Sequence, residues 1–237
     1  MPASPHAINE PGRVWRIGYA PEPWNWTDWA YATDGRFGGR WDAPDGTYRT
    51  VYAGTTLRGC LLEVLARFRP DPAIAAEMDD INEDDVDAEL YGTVAAGVVD
   101  RSWFAQRRIS SATLTGRYCD VASANTIAAL RPRFYVEATA VYGLADFDAA
   151  ALHDSRPREL TQRVGQAVYE MAMNDGGPFD GLRFLSRHGA DNELWAIYER
   201  STDGPRSAHL HDITTTVIDP GSDDVLEVLA LFDLRVD

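Results

Sequence analysis

Apolar positions recur along this chain in two periods, alternating over short stretches and returning every third or fourth residue over longer ones. Residues 14–19 read as a strand, broken by Pro21 and Pro23 before Trp24, Trp26 and Trp29 arrive. Clustered indoles either pack a core or wall a site for a flat ligand, and the large area an indole buries favours packing. Gly35, Gly38 and Gly39 around Arg36 and Arg40 predict a flexible loop carrying two guanidiniums. Residues 48–53, with β-branched and aromatic content, read as a second strand. Leu57, Leu61, Val64, Leu65 and Phe68 then form one stripe of a helix reaching about Arg69, where Pro70 and Pro72 stop it. Glu63 lies away from the centre of that stripe, which turns it to solvent or to a cleft.

Residues 77–89 carry eight carboxylates in thirteen positions. Like charges at that density repel, so a solvated face or a loose connection is expected, with a contact surface for a basic partner as the alternative. Residues 91–99 alternate weakly. A helix over 123–130 is expected to end at Pro132, with a strand to follow over 134–140. Leu160, Val164, Val168 and Met171 predict an amphipathic helix over 160–173, terminated by Asn174-Asp175-Gly176-Gly177-Pro178. Residues 181–185 read as a strand, 186–191 as its turn, 194–198 as the next strand and 225–234 as a closing helix. With no internal repeat and no strong linker, strands dispersed among unlike helices predict a single α+β domain over 13–237. Residues 1–12 read as a loose leader, and 71–90 as an acidic insertion.

Composition narrows the chemistry. The chain has 237 residues and a net charge of −15, which argues against binding the phosphate backbone of nucleic acids. All 22 basic residues are Arg, so Schiff-base chemistry on Lys and a P-loop Lys are excluded, and any bound anion must be held by Arg, amides or hydroxyls. Cys60 and Cys119 lack partners at ligand spacing, so neither a metal site nor a disulfide framework is predicted, and reduced thiols in the cytoplasm are the simpler reading. No apolar run is long enough for a membrane span.

A set of ordered motifs carries the functional signal. Gly38-Gly39-Arg40-Trp41-Asp42 is followed by Val51-Tyr52-Ala53, then by Leu61-Leu62-Glu63-Val64-Leu65 on the first helix. Gly181-Leu182-Arg183-Phe184-Leu185-Ser186 and the block 192–199 come much later, Ser186 standing 123 positions after Glu63. Taken singly, each residue has an ordinary reading: Glu63 and Arg67 in a surface ion pair, Arg40 as a structural Arg, Tyr52 as core, Ser186 as a turn residue. In this order the set resembles the RES-domain family.

That resemblance implies a fold related to the ADP-ribosyltransferases, with NAD bound in a cleft between small sheets. It implies a toxin that degrades NAD, by phosphorolysis to ADP-ribose 1″-phosphate or by hydrolysis, and an Xre-type antitoxin as partner. NAD is then a substrate, inorganic phosphate a co-substrate, and neither a cofactor nor a metal is expected. Arg40, Tyr52, Glu63 and Ser186 take the catalytic positions, with Arg36 a second phosphate ligand and Asn192 a support. Nicotinamide is a cationic leaving group, so one carboxylate, Glu63, suffices to hold an oxocarbenium-like ribose. Arg40 suits the pyrophosphate, the Tyr52 ring the nicotinamide by stacking, and Ser186 the ribose or an attacking phosphate. The same residues would serve transfer of ADP-ribose to a macromolecule, and a nucleotide-binding module without turnover is a third reading. A homo-oligomer is compatible with all three.

Overall fold

The computed structural model describes residues 3–69, 97–154, 156–173 and 177–237. The acidic segment 77–89 lies outside them. Eight strands join in one sheet: β1 (Ala7–Asn9), β2 (Gly12–Tyr19), β3 (Thr50–Gly54), β5 (Arg107–Leu114), β6 (Arg117–Asp120), β9 (Gly181–Ser186), β10 (Gly189–Tyr198) and β11 (Leu210–Val217), in the order β1-β6-β9-β10-β3-β2-β5-β11. Only β6 and β9 run parallel within it. Two short pairs complete the strands: β4 (Val98–Val99) with β12 (Arg235–Val236), and β7 (Ala172–Met173) with β8 (Gly177–Pro178). The helices are α1 (Leu57–Leu65), α2 (Arg101–Ala105), α3 (Ala124–Val136), α4 (Ala149–His153), α5 (Arg158–Glu170) and α6 (Asp223–Leu231). The class is α+β, as expected, and no described helix is long and apolar enough to cross a membrane.

The sheet is pinched in the middle. Strand β2 pairs with β5 over eight positions, whereas it meets β3 at one register pair, Trp15↔Gly54. Two smaller sheets, β1-β6-β9-β10-β3 and β2-β5-β11, are thus hinged at that pair. Alternation sorts the side chains. Tyr52, Leu182, Phe184, Leu194 and Ala196 face a core under α3 and α5, while Val51, Ala53, Trp195 and Ile197 face the opposite side, which Trp24 and Trp26 cover. Both of these indoles are packing residues, and Trp29, 38% exposed, lies against Phe37 in a tilted pair. A third cluster joins α1, α2 and α6 over the three-stranded half through Leu61, Leu65, Trp103, Val225 and Val228.

Two sequence expectations need correction. The leader is not loose throughout, because Ala7–Asn9 pair antiparallel with β6 at the sheet edge. No strand forms over 134–140: α3 runs through Pro132 to Val136 and continues as a π-helix, Glu137–Val141. Leu130, Phe134 and Ala138 are buried at helical spacing, and Pro132 lies on the exposed side, where water can satisfy the carbonyl its missing N–H releases. The core-facing period outweighs the breaker.

Candidate active site

Helix α1 begins where β3 leaves the pinch, capped by Thr56, whose hydroxyl accepts from the Gly59 amide. Its stripe of Leu61, Leu62 and Leu65 is buried, and this rotates Glu63 toward the end of β9. There the Glu63 carboxylate accepts a hydrogen bond from the Ser186 hydroxyl. The Glu63 side chain is only 5% exposed, so the surface-pair reading with Arg67 gives way to a cleft carboxylate. Ser186 Oγ also accepts from the His188 amide at 2.9 Å, and His188 Nε2 stands 3.9 Å from the second carboxylate oxygen. On the far side, His153 Nε2 lies 3.0 Å from the Ser186 carbonyl. A carbonyl can only accept, so His153 carries its proton on Nε2.

Arg40 and Tyr52 share that sheet face. Phe184, two residues before Ser186 and so about 7 Å away along the strand, lies under the Arg40 guanidinium, 5.4 Å from ring centre to Cζ. Arg40 is buried, stacks also on Trp41 and donates to the Leu152 carbonyl. The Tyr52 hydroxyl donates to Asp42 Oδ1 at 2.8 Å and accepts from the Trp41 amide at 2.9 Å, while the Gly39 amide donates to Asp42 Oδ2. A Cβ on Gly39 would collide with both groups, which explains a glycine there. Burial pushes the Asp42 carboxyl up, opposed by its bonds from Tyr52 and Gly39. Burial, then the Asp42 charge, pushes the Tyr52 phenol well above its ordinary range, so it remains a donor. Tyr52 therefore latches the loop that carries Arg40; its ring meets Phe184 edge-on and is 5% exposed, which leaves little face for the stacking expected of it.

Asn192 is buried at an irregularity of β10 between Gly189 and Glu193, against Gly59 of α1, a placement suited to support. Arg36 is not gathered with the others: it sits exposed on a turn bridged to Thr33. Arg16 of β2, by contrast, is buried at the pinch, donating to the Tyr52 and Pro23 carbonyls. Its signal in the sequence is an Arg set between the apolar Trp15 and Ile17. Asp42 was legible as part of a motif without a role, and His188 stands two residues after Ser186 in the sequence. Arg16, Tyr52, Glu63, Cys60 and Leu194 line a crevice of about 20 Å³ at the hinge. A larger cavity of about 350 Å³ lies beside Ser186, between α4 and the β9–β10 hairpin. Among the described residues no cluster of His, Cys, Asp or Glu suits a metal ion.

The RES domain family profile matches residues 13–217, and the chain belongs to that family. No curated protein matches it. Family membership gives a toxin-like, nucleotide-related function and is consistent with an enzyme acting on NAD.

Proposed function

We propose that this protein cleaves the nicotinamide–ribose bond of NAD as a toxin of a toxin–antitoxin pair. The observation that carries the reading is the Glu63 carboxylate, enclosed at the hinge and fixed by the Ser186 hydroxyl. As the bond stretches, its electron pair passes to the ring nitrogen and positive charge grows on the ribose. A carboxylate already oriented meets that charge without reorganising, where low local dielectric strengthens the attraction. Ser186 orients Glu63, His188 contributes the amide that orients Ser186, and Tyr52 with Asp42 sets the Arg40 loop. Arg40 and Arg16 supply positive charge along the cleft toward the diphosphate, Arg40 exchanging its carbonyl partner for a phosphate oxygen.

Water or inorganic phosphate completes the reaction from the face opposite the leaving ring or on the same face. Incubating the protein with NAD, with and without phosphate, and weighing the products separates the outcomes. ADP-ribose phosphate formed only with phosphate is the mark of phosphorolysis, and ADP-ribose in both tubes is the mark of hydrolysis. Label appearing on a macromolecule instead would make the protein a transferase, and intact NAD with folded protein would overturn cleavage. An Xre-type antitoxin is the partner this reading calls for, and co-expression should relieve growth arrest.

A further inference from the structure

We propose that Phe232, at the end of α6, is a positioning residue for the Glu63 carboxylate, acting through the His188 imidazole; its kinetic consequence rests on the NAD-cleaving reading. Phe232 lies outside the stretch 13–217 that the family profile matches. The Ser186 hydroxyl donates to Glu63 Oε1, and one such bond fixes an oxygen without fixing the tilt of the carboxylate plane. His188 Nε2 stands 3.9 Å from Oε2, too far for a direct hydrogen bond and close enough to bound the movement of that oxygen. The orientation of the carboxylate therefore depends on where the His188 ring is kept.

His188 lies in the β9–β10 turn, and its amide is committed to Ser186 Oγ at 2.9 Å. That bond fixes the main chain and leaves the ring its own side-chain torsions. Phe232 meets the ring edge-on, with centres 6.0 Å apart and planes at 68°, an arrangement that aromatic pairs favour. The Arg69 guanidinium lies over the same Phe232 ring, 5.0 Å from its centre. Arg69 closes the short turn that continues α1, so Phe232 ties the end of the helix carrying Glu63 to the turn carrying His188.

The main chain fixes where Phe232 points. Helix α6 closes with two capping bonds, from the Leu234 amide to the Leu229 carbonyl at 2.8 Å and from the Asp233 amide to the Ala230 carbonyl at 3.3 Å. Asp233 supplies the left-handed turn this cap requires, with a φ of +54°. Leu234 then folds into the cluster that holds Leu229, and Arg235–Val236 pair with Val98–Val99. The chain is pinned before and after Phe232, and the ring is delivered to His188 in one place.

A His188 ring released from Phe232 lets Oε2 swing, and the carboxylate then meets the growing ribose charge in fewer of its orientations. Misplacing a reacting group by about 1 Å can cost on the order of 100-fold in rate, so partial release is expected to cost about tenfold, with little effect on binding.

Two double-variant cycles on the full chain test this. At a single pH, the His188 Cε1–H NMR signal, identified by its loss in His188→Ala, should move when Glu63→Gln removes the neighbouring charge. It should move less than half as far when Phe232→Leu is also present. With NAD, Phe232→Leu should lower kcat about tenfold and keep KM within about twofold. Combined with His188→Ala, it should be no slower than His188→Ala alone, because residues that act as one unit are not additive, whereas a general loss of packing would add. Phe232→Met, which nearly conserves volume, takes the place of the Leu variant should that one fail to fold. Equal displacement of the His188 signal in both backgrounds, or losses that multiply in the double variant, would overturn the proposal. The two readings fail separately: NAD left intact with the signals coupled as expected removes cleavage alone, and NAD cleaved by the Phe232 variant at the parental rate removes the role of Phe232 alone.

Discussion

Ser186 is held from three sides, donating to Glu63, accepting from the His188 amide and offering its carbonyl to His153. A hydroxyl so fixed cannot turn away from the carboxylate, so Glu63 is oriented before any substrate arrives. Glu63→Gln keeps an acceptor for Ser186 and removes only the charge. Turnover of NAD should fall on the order of 100-fold or more, with the dissociation constant within several-fold of the parent, because the charge acts mainly at the transition state. Single-turnover kinetics check this, and equal rates would remove Glu63 from the chemistry. Tyr52→Phe separates latch from stacking. Phe keeps the ring but strips the buried Asp42 carboxyl and the Trp41 amide of a partner, at about 1.5–3 kcal/mol. The melting temperature should then drop by roughly 3–12 °C. A variant as stable and active as the parent would show that the hydroxyl holds nothing.

Glu63 also depends on what stands behind its helix. Helix α6 lies beyond residues 13–217 yet packs Val225, Val228 and Leu229 into the cluster with Leu61, Leu62 and Leu65, and Arg58 pairs with Glu227 across the two helices. Leu229→Ala should cost about 2–5 kcal/mol by leaving a cavity under α1. Chemical unfolding measures that loss, and a change below about 0.5 kcal/mol would mean that α6 does not brace the site. At this scale the sequence was readable where side-chain period and burial agree. Strands β2, β3, β9 and β10 and helices α1, α5 and α6 stand close to their expected positions because their apolar faces repeat cleanly. Strands β5 and β11 escaped, since β5 buries Ser110 and Ser111 and β11 is Thr-rich with one face open, so neither alternates in apolarity. The α3 correction came from giving Pro132 more weight than the 130, 134, 138 repeat. For the site, motif order identified Glu63, Ser186, Arg40 and Tyr52, but residues 123 positions apart reveal contact only when the sheet is assembled. Asp42 and His188 act through those partners, which local sequence does not show.

Among the described residues the eight-stranded sheet divides into two halves, and it is pinched where β2 and β3 share a single register pair. A second joint lies at the β5–β6 turn, where the chain passes from one half to the other at Gly116. His209, just before β11 in the three-stranded half, contacts Asp180, just before β9 in the other, at 3.2 Å. A side chain at Gly116, whose φ is +101°, would strike both. The hydrogen bond to Asp180 raises the His209 pKa against its partial burial, with Asp203 adding to the rise and Arg200 opposing it. Burial pushes Asp180 upward, yet the bonds from His209 and the Arg117 amide leave it lowered on balance. A raised His contributes stability that is complete below its unfolded pKa, about 6.5, and is lost as pH rises through the folded value; a lowered Asp contributes stability that persists down to below about 4. The joint is therefore strongest between these limits. His209→Gln retains a donor for Asp180 and removes the charge, so its melting temperature should trail the parent by about 2–4 °C near pH 5.5, for an interaction of up to about 1 kcal/mol. That gap should close toward pH 9, where the parent imidazole has lost its proton as well. A gap that is constant with pH would show that shape at Gly116, not charge, joins the two halves.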